Sequence, residues 1–235
     1  MYSKESLKKY FANLNKAVSD FNSKDVNELK VTISKGNRKI GRVMNVSTAA
    51  GLTCGKWSHC IGYCYDIKAV LQYSNTVLPA RAKNTVISRK DRKSFFNQIN
   101  AAMDRRRANK YFRYHVSGEI QDLEYFMEML ESARKHPDFI VWTYTKMYSI
   151  VNEYCEKYGK ETIPENMHIM FSEWDGMPLY NPYNFPIFTV KFAAGNKNHP
   201  VEFFDTLYKC PGNCDICKEC GRGCIAGENT YADEH

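Results

Sequence analysis

The sequence predicts an α/β fold built on a parallel sheet with right-handed crossovers. Three observations carry this. Between residues 111 and 192, β-prone runs at 111–116, 139–145, 167–171 and 187–192 are separated by helical stripes, the pattern of a parallel sheet. The run 139–145 is continuously β-prone, as expected of a strand covered on both faces. From Cys210 onward the composition shifts to Cys, Gly and polar residues, so a cysteine-ligated tail, not a core segment, is expected to follow the sheet.

The elements follow in order. Leu7, Tyr10, Phe11, Leu14, Val18 and Phe21 recur at helical spacing and predict an amphipathic first helix. A short strand is expected at 31–33, a turn at Gly36-Asn37, and an extended stretch at 42–46 leading into the first cysteines. Residues 65–76 and 92–104 read as helices, the second with Phe95, Phe96, Ile99 and Met103 inward. Asp122 is suited to cap the next helix, whose stripe is Leu123, Phe126, Met127 and Leu130; His136-Pro137 ends it. Met147, Val151, Tyr154 and Tyr158 mark another helix, closed by Gly159. The expected organisation is a helical extension over 1–30, an α/β core with the first cysteines over 31–205, and a cysteine-rich metal-binding tail over 206–235.

Composition narrows the class. At 235 residues and 43% hydrophobic content, the chain can bury a substantial core. No apolar run is long enough for a membrane span, and the N-terminus lacks an apolar leader segment. A cytoplasmic, reducing compartment is therefore expected, in which nine cysteines persist as thiols or metal thiolates. Net charge is +7, partly from Arg89-Lys90-Asp91-Arg92-Lys93 and Arg105-Arg106-Arg107. Such runs are ordinarily solvated helix faces; the sharper reading is a patch for nucleic acid or another phosphate-bearing partner.

The cysteines form two groups and one outlier. Cys54-x5-Cys60-x3-Cys64 falls in a loop between an extended stretch and a helix. Three thiolates there suit a [4Fe–4S] cube with one iron left open. A structural zinc site wants four ligands, and His59 adjoins Cys60 too closely to be an easy fourth. The second group is Cys210-x3-Cys214-x2-Cys217-x2-Cys220-x3-Cys224, whose last four have ferredoxin spacing. Cys210-Pro211 and Cys224 compete as fourth ligand. Zinc is the less favoured metal, because no long finger loop separates the cysteines. Cys155, on a helix among apolar residues, reads as an inert core thiol.

Around the cysteines, Ser117-Gly118-Glu119 follows one strand at the carboxyl edge, where α/β sheets bind ligands. Glu119 there could hold an ammonium group. Lys146 ends the next strand, and Ser172, Glu173 and Asp175 follow the one after. Arg113 and His115 are expected on one face of their strand, by alternation. Each also has an ordinary reading as a turn, a surface lysine or a satisfied buried pair.

Lys35-Gly36-Asn37-x-Lys39-Ile40-Gly41, Asn45-x-Ser47, Thr53-Cys54, Cys60-x3-Cys64-Tyr65, Lys68, Tyr73, Arg113-x-His115-x-Ser117-Gly118-Glu119, Tyr144-Thr145-Lys146 and the cysteine-rich tail ending in His resemble the phage and plasmid gene product 88 family over roughly 35–235. That family's pattern has Asp where Glu119 stands. The resemblance implies a mobile-element setting, hence a host-cell cytoplasm, but no reaction. The layout more distantly resembles a radical SAM core, with the departure that the usual spacing there is C-x3-C-x2-C. That second resemblance implies a partial parallel (β/α) barrel. It also implies a cube on Cys54, Cys60 and Cys64, with S-adenosylmethionine chelating the open iron. Ser117, Gly118 and Glu119 would lie against its amine, with Glu119 and Lys146 as catalytic residues. A second [4Fe–4S] cluster would sit on Cys214, Cys217 and Cys220, with Cys210 or Cys224. An enzyme of this kind needs an electron donor. The alternative expectation is a non-catalytic, metal-stapled protein binding nucleic acid or a replication partner.

Overall fold

The computed structural model describes residues 1–38, 40–54 and 60–234. His59, weighed as a zinc ligand, and Lys39 and His235, part of the family resemblance, lie outside the described residues. The described residues form one eight-stranded sheet with helices. The strands are β1 (Ile33–Ser34), β2 (Met44–Val46), β3 (Tyr111–Tyr114), β4 (Ile140–Thr145), β5 (Met167–Ser172), β6 (Ile187–Lys191), β7 (Tyr208–Lys209) and β8 (Thr230–Asp233). Their order is β1-β2-β3-β4-β5-β6-β8-β7. Only β1 pairs antiparallel; every other pairing is parallel. The sheet stays open, with β1 and β7 as its edges, and does not close into a barrel.

From β2 to β6 each strand lies beside the next in sequence. With right-handed crossovers, such an order puts all connecting helices on one face. The helices are α1 (Lys4–Asn22), α2 (Tyr65–Gln72), α3 (Val77–Lys90), α4 (Arg92–Asp104), α5 (Leu123–Lys135), α6 (Tyr148–Tyr158) and α7 (Cys214–Cys220). Phe95, Phe96 and Ile99 of α4, Tyr125, Phe126 and Leu130 of α5 and Val151 of α6 pack on Phe112, Tyr114, Val141, Ile169 and Phe171 of the sheet as the main core. Asp122 caps α5 as expected, its carboxylate accepting from Tyr125 N at 2.8 Å; such a cap is worth about 1 kcal/mol. A second cluster joins Tyr10 and Leu14 of α1 to Ala49, Ile67, Val70 and Ala82.

Several expectations are corrected. Met127 is 39% exposed; the inward face of α5 runs through Tyr125, Phe126, Met129 and Leu130. The helix expected over 65–76 stops at Gln72, and α3, not expected from the sequence, follows it. The tail, expected to lie apart from the core, is part of it. Cys217, Cys224 and Ile225 are buried against Val43, Trp142 and Met170, so the tail supplies the cover for the second face of the sheet. The tail also adds two parallel strands, β7 and β8. Among the described residues no helix is long and apolar enough to cross a membrane.

Candidate functional site

Parallel strands in one sheet end together, so the residues that follow them meet at one rim. Ser47–Cys54 after β2, Ser117–Glu119 after β3, Lys146 after β4 and Glu173 after β5 share that rim. The first two segments are laced together. Thr48 N donates to Ser117 O at 3.0 Å, Ser117 N to Ser47 Oγ at 3.2 Å, and Glu119 N to Thr53 Oγ1 at 3.2 Å. Gly118, at φ +85°, fits only because it has no side chain; a Cβ there would stand 1.9 Å from Thr48 Oγ1. The small residues of this turn therefore admit the cysteine loop itself.

Glu119 is 6% exposed. One oxygen accepts from Thr145 Oγ1 at 2.8 Å and the other from Lys146 N at 3.0 Å. Burial pushes its pKa up, against the pull of the Lys146 charge and these hydrogen bonds. Lys146 Nζ donates to Ser172 Oγ at 2.9 Å. Ser117 Oγ donates to Thr48 O at 3.0 Å and shares a 2.6 Å hydrogen bond with Asp66.

Cys54, Cys60 and Cys64 lie within electrostatic reach of one another. Burial, then the Glu119 carboxylate, pushes the Cys54 thiol up to about 12, while the Gly51 N–H holds it back. Burial likewise pushes Cys64 up to about 11. Deprotonation therefore needs a partner that binds thiolate more strongly than a proton does. Among the described residues no three His, Cys, Asp or Glu side chains stand close enough together to hold a metal ion as they lie. The thiols are neighbours on adjoining segments rather than a closed cage.

In the tail, Cys214, Cys217 and Cys220 lie on α7, capped by Asn213, whose Oδ1 accepts from Asp215 N at 2.8 Å. Cys210 is within electrostatic reach of Cys214, Cys217 and Cys224, so it neighbours three of the group. Burial pushes Cys217 up to about 11 and Cys224 up to about 12. The tail is pinned to the core where Arg42 N donates to Asp215 at 3.3 Å. Cys155 is 4% exposed in the main core, as its sequence context suggested.

Arg113 and His115 do not share a face. β3 ends at Tyr114, and His115 takes φ +55°, which breaks the alternation. His115 turns to the helical side and meets the Tyr125 hydroxyl at 2.9 Å. Burial, with help from Arg113, pushes its pKa down to about 3. Arg113 stays on the tail side, its guanidinium 4.3 Å from the centre of the Tyr144 ring.

The sequence reading passed over three residues at the rim. Asp66, 1% exposed, pairs with Arg81 at 3.0 Å and holds Ser117. His199 closes on Glu173 at 2.8 Å. The Tyr148 hydroxyl donates to Ser172 O at 2.6 Å. Of the basic runs, Arg92 is paired with Asp122 and Glu124, and Arg89 donates to Leu52 O.

Fold and rim together define an open, mostly parallel α/β protein with one thiol group at the carboxyl edge and another under the sheet. The family profile of gene product 88 matches residues 7–182, and the chain belongs to that family. The matched region takes in most of α1 and ends before the cysteine tail, a different span from the one the motifs suggested. No curated protein and no solved structure matches the chain.

Proposed function

We propose that the protein is an iron–sulfur enzyme of the radical SAM type, with Cys54, Cys60 and Cys64 as ligands of a [4Fe–4S] cluster. The observation that carries the reading is the lacing of the cysteine loop to the Ser117-Gly118-Glu119 turn, at the carboxyl ends of the neighbouring strands β2 and β3. That is where a cofactor bound by the thiols would also meet a buried carboxylate. The sequential order β2 to β6 and the one-sided helices support a sheet related to a partial barrel.

In this reading Glu119 receives the amine of S-adenosylmethionine on the lone pairs left free by Thr145 and Lys146. Thr48 and Thr53 hydrogen-bond to each other at 3.1 Å inside the cysteine loop beside it. Asp66 and Arg81 fix Ser117 from behind. Cys54, Cys60 and Cys64 would hold the cluster; reduced by an external low-potential donor, it would supply the one electron that parts the sulfonium into methionine and a 5′-deoxyadenosyl radical. The tail cysteines hold a second thiolate centre, with Cys210 and Cys224 as the candidates for its fourth ligand.

The experiment is anaerobic reconstitution with iron and sulfide, then incubation with S-adenosylmethionine and dithionite. Formation of 5′-deoxyadenosine, lost in Cys60→Ala, is the expected result. Iron-loaded protein that yields no 5′-deoxyadenosine removes the radical SAM reading.

A further inference from the structure

Charge is divided along the chain. Residues 1–107 carry twenty-one Lys and Arg against seven Asp and Glu, whereas residues 108–235 carry twelve against nineteen. The first part is strongly positive and the second negative, an asymmetry that points to a partner with an anionic surface. Part of the excess gathers at one corner, where α1 and α3 end and α4 begins. Lys90 Nζ, at the end of α3, donates to Asn22 O, at the end of α1, at 2.5 Å. Lys24 follows α1, its ammonium 5.2 Å from the centre of the Phe21 ring. Lys83 is within electrostatic reach of Lys24; burial, then that neighbour, holds its pKa below the ordinary lysine value. Arg89 reaches Leu52 O at 2.7 Å, beside the cysteine loop. None of these four cations is in an ion pair among the described residues. Asp25 and Asp91, next to Lys24 and Lys90 in sequence, accept from Asn27 N and Ser94 N as helix caps.

Against this corner lies a cleft of about 390 Å³, lined mainly by Asn27, Asp91, Lys93, Ser94, Asn97 and Gln98. Its volume falls in the range of ligand pockets. Gln98 is a fixed wall: its Oε1 accepts from Val31 N at 2.8 Å and its Nε2 donates to Ser94 Oγ at 3.2 Å. Asn97 is exposed, and its amide has no hydrogen bond among the described residues. Asp91 and Lys93 leave the cleft without net charge, so it suits the polar edge of a base better than a phosphate. A base enters such a recess only when it is unpaired, because duplex bases are stacked inside the helix. α1 turns Tyr10 and Leu14 inward, so the corner lacks the apolar stripe that seats a helix in a bilayer.

We propose that this corner binds single-stranded nucleic acid, with Lys24, Lys83, Arg89 and Lys90 on the phosphates and the Asn97 cleft on a base. No cysteine takes part, so binding is independent of any iron–sulfur cluster. Because Arg89 touches the cysteine loop at Leu52, a strand held here lies beside the carboxyl rim of the sheet.

The test is fluorescence anisotropy of a labelled single strand of mixed sequence, as DNA and as RNA, with the full chain as purified, across a salt series. Binding that weakens with salt is expected. Lys24→Gln with Lys90→Gln should weaken it by about tenfold or more and make the salt dependence shallower, since each phosphate contact adds about one unit of slope. Asn97→Ala should weaken it about fivefold with the slope unchanged. Lys135→Gln with Lys157→Gln, an equal loss of charge on the surfaces of α5 and α6, should leave both nearly as they were. Should the Lys24 and Lys90 double variant fail to fold by circular dichroism, Arg89→Gln and Asn97→Ala carry the test. No binding of the strand at low salt, equal weakening by the two lysine pairs, or a duplex of the same sequence bound as tightly as the strand overturns the proposal. Binding of phosphatidylserine vesicles in place of the strand overturns it as well and assigns the corner to a membrane surface.

Discussion

Gly118 and Thr48 lie so close that a Cβ on the glycine would sit 1.9 Å from the threonine hydroxyl. This contact joins the turn after β3 to the cysteine loop after β2. Gly118 also has φ +85°, which disfavours any side chain. Gly118→Ala is therefore expected to lose about 2–3 kcal/mol of stability, measured by urea denaturation. A loss below about 0.5 kcal/mol would show that the two segments are not held together.

Asp66 and Arg81 form a pair whose carboxylate side is 1% exposed and also holds Ser117. Removing Arg81 alone leaves that carboxylate buried without its cation. Arg81→Ala should cost about 3 kcal/mol. The double variant with Asp66→Ala should cost clearly less than the sum of the two single changes. Additive losses in that cycle would mean the pair is not coupled.

His115 carries a pH signature. Its pKa in the folded protein is pushed down to about 3 from an ordinary value of 6.5, by burial first and by Arg113 second. Between those values the unfolded chain binds a proton that the folded chain does not. Its contribution to stability is thus complete above pH 6.5 and is lost as pH falls toward 3, at up to about 1.4 kcal/mol per pH unit. His115→Asn, a residue that tolerates the positive φ, should flatten the slope in urea melts run across that window. An unchanged slope would assign the acid sensitivity to other groups.

Much of this arrangement was legible before the structure. The cap at Asp122, the stop at Gly159 and the clustering of Glu119 and Lys146 behind strand ends all follow from short-range chemistry. What escaped depends on distant contacts. α3 buries Asn84, Thr85 and Ser88, so it shows no apolar stripe; Asn84 instead donates to Thr32 O and Ser47 O. The parting of Arg113 and His115 depends on one positive φ that the β-rich run conceals. The tail reads as polar because its burial rests on cysteines and a few apolar residues meeting Trp142 and Met170.

Cys155 serves as a packing control for the cysteines proposed as ligands. It is 4% exposed in the main core, with both thiol groups elsewhere. Cys155→Ala should cost about 1 kcal/mol in stability and leave metal content unchanged. The paired change Cys217→Ala and Cys224→Ala should lower metal content. Equal metal loss in the two variants would contradict the division of the cysteines into ligands and core.

Metal and sulfide analysis of protein purified without oxygen, read with its absorption and EPR spectra, decides the question most directly. About four iron and four sulfide per chain, or about eight of each if both thiol groups are filled, is the expected result. A colourless protein that is folded yet free of iron would contradict it, and zinc without sulfide would leave the thiols as ligands but end the enzymatic reading.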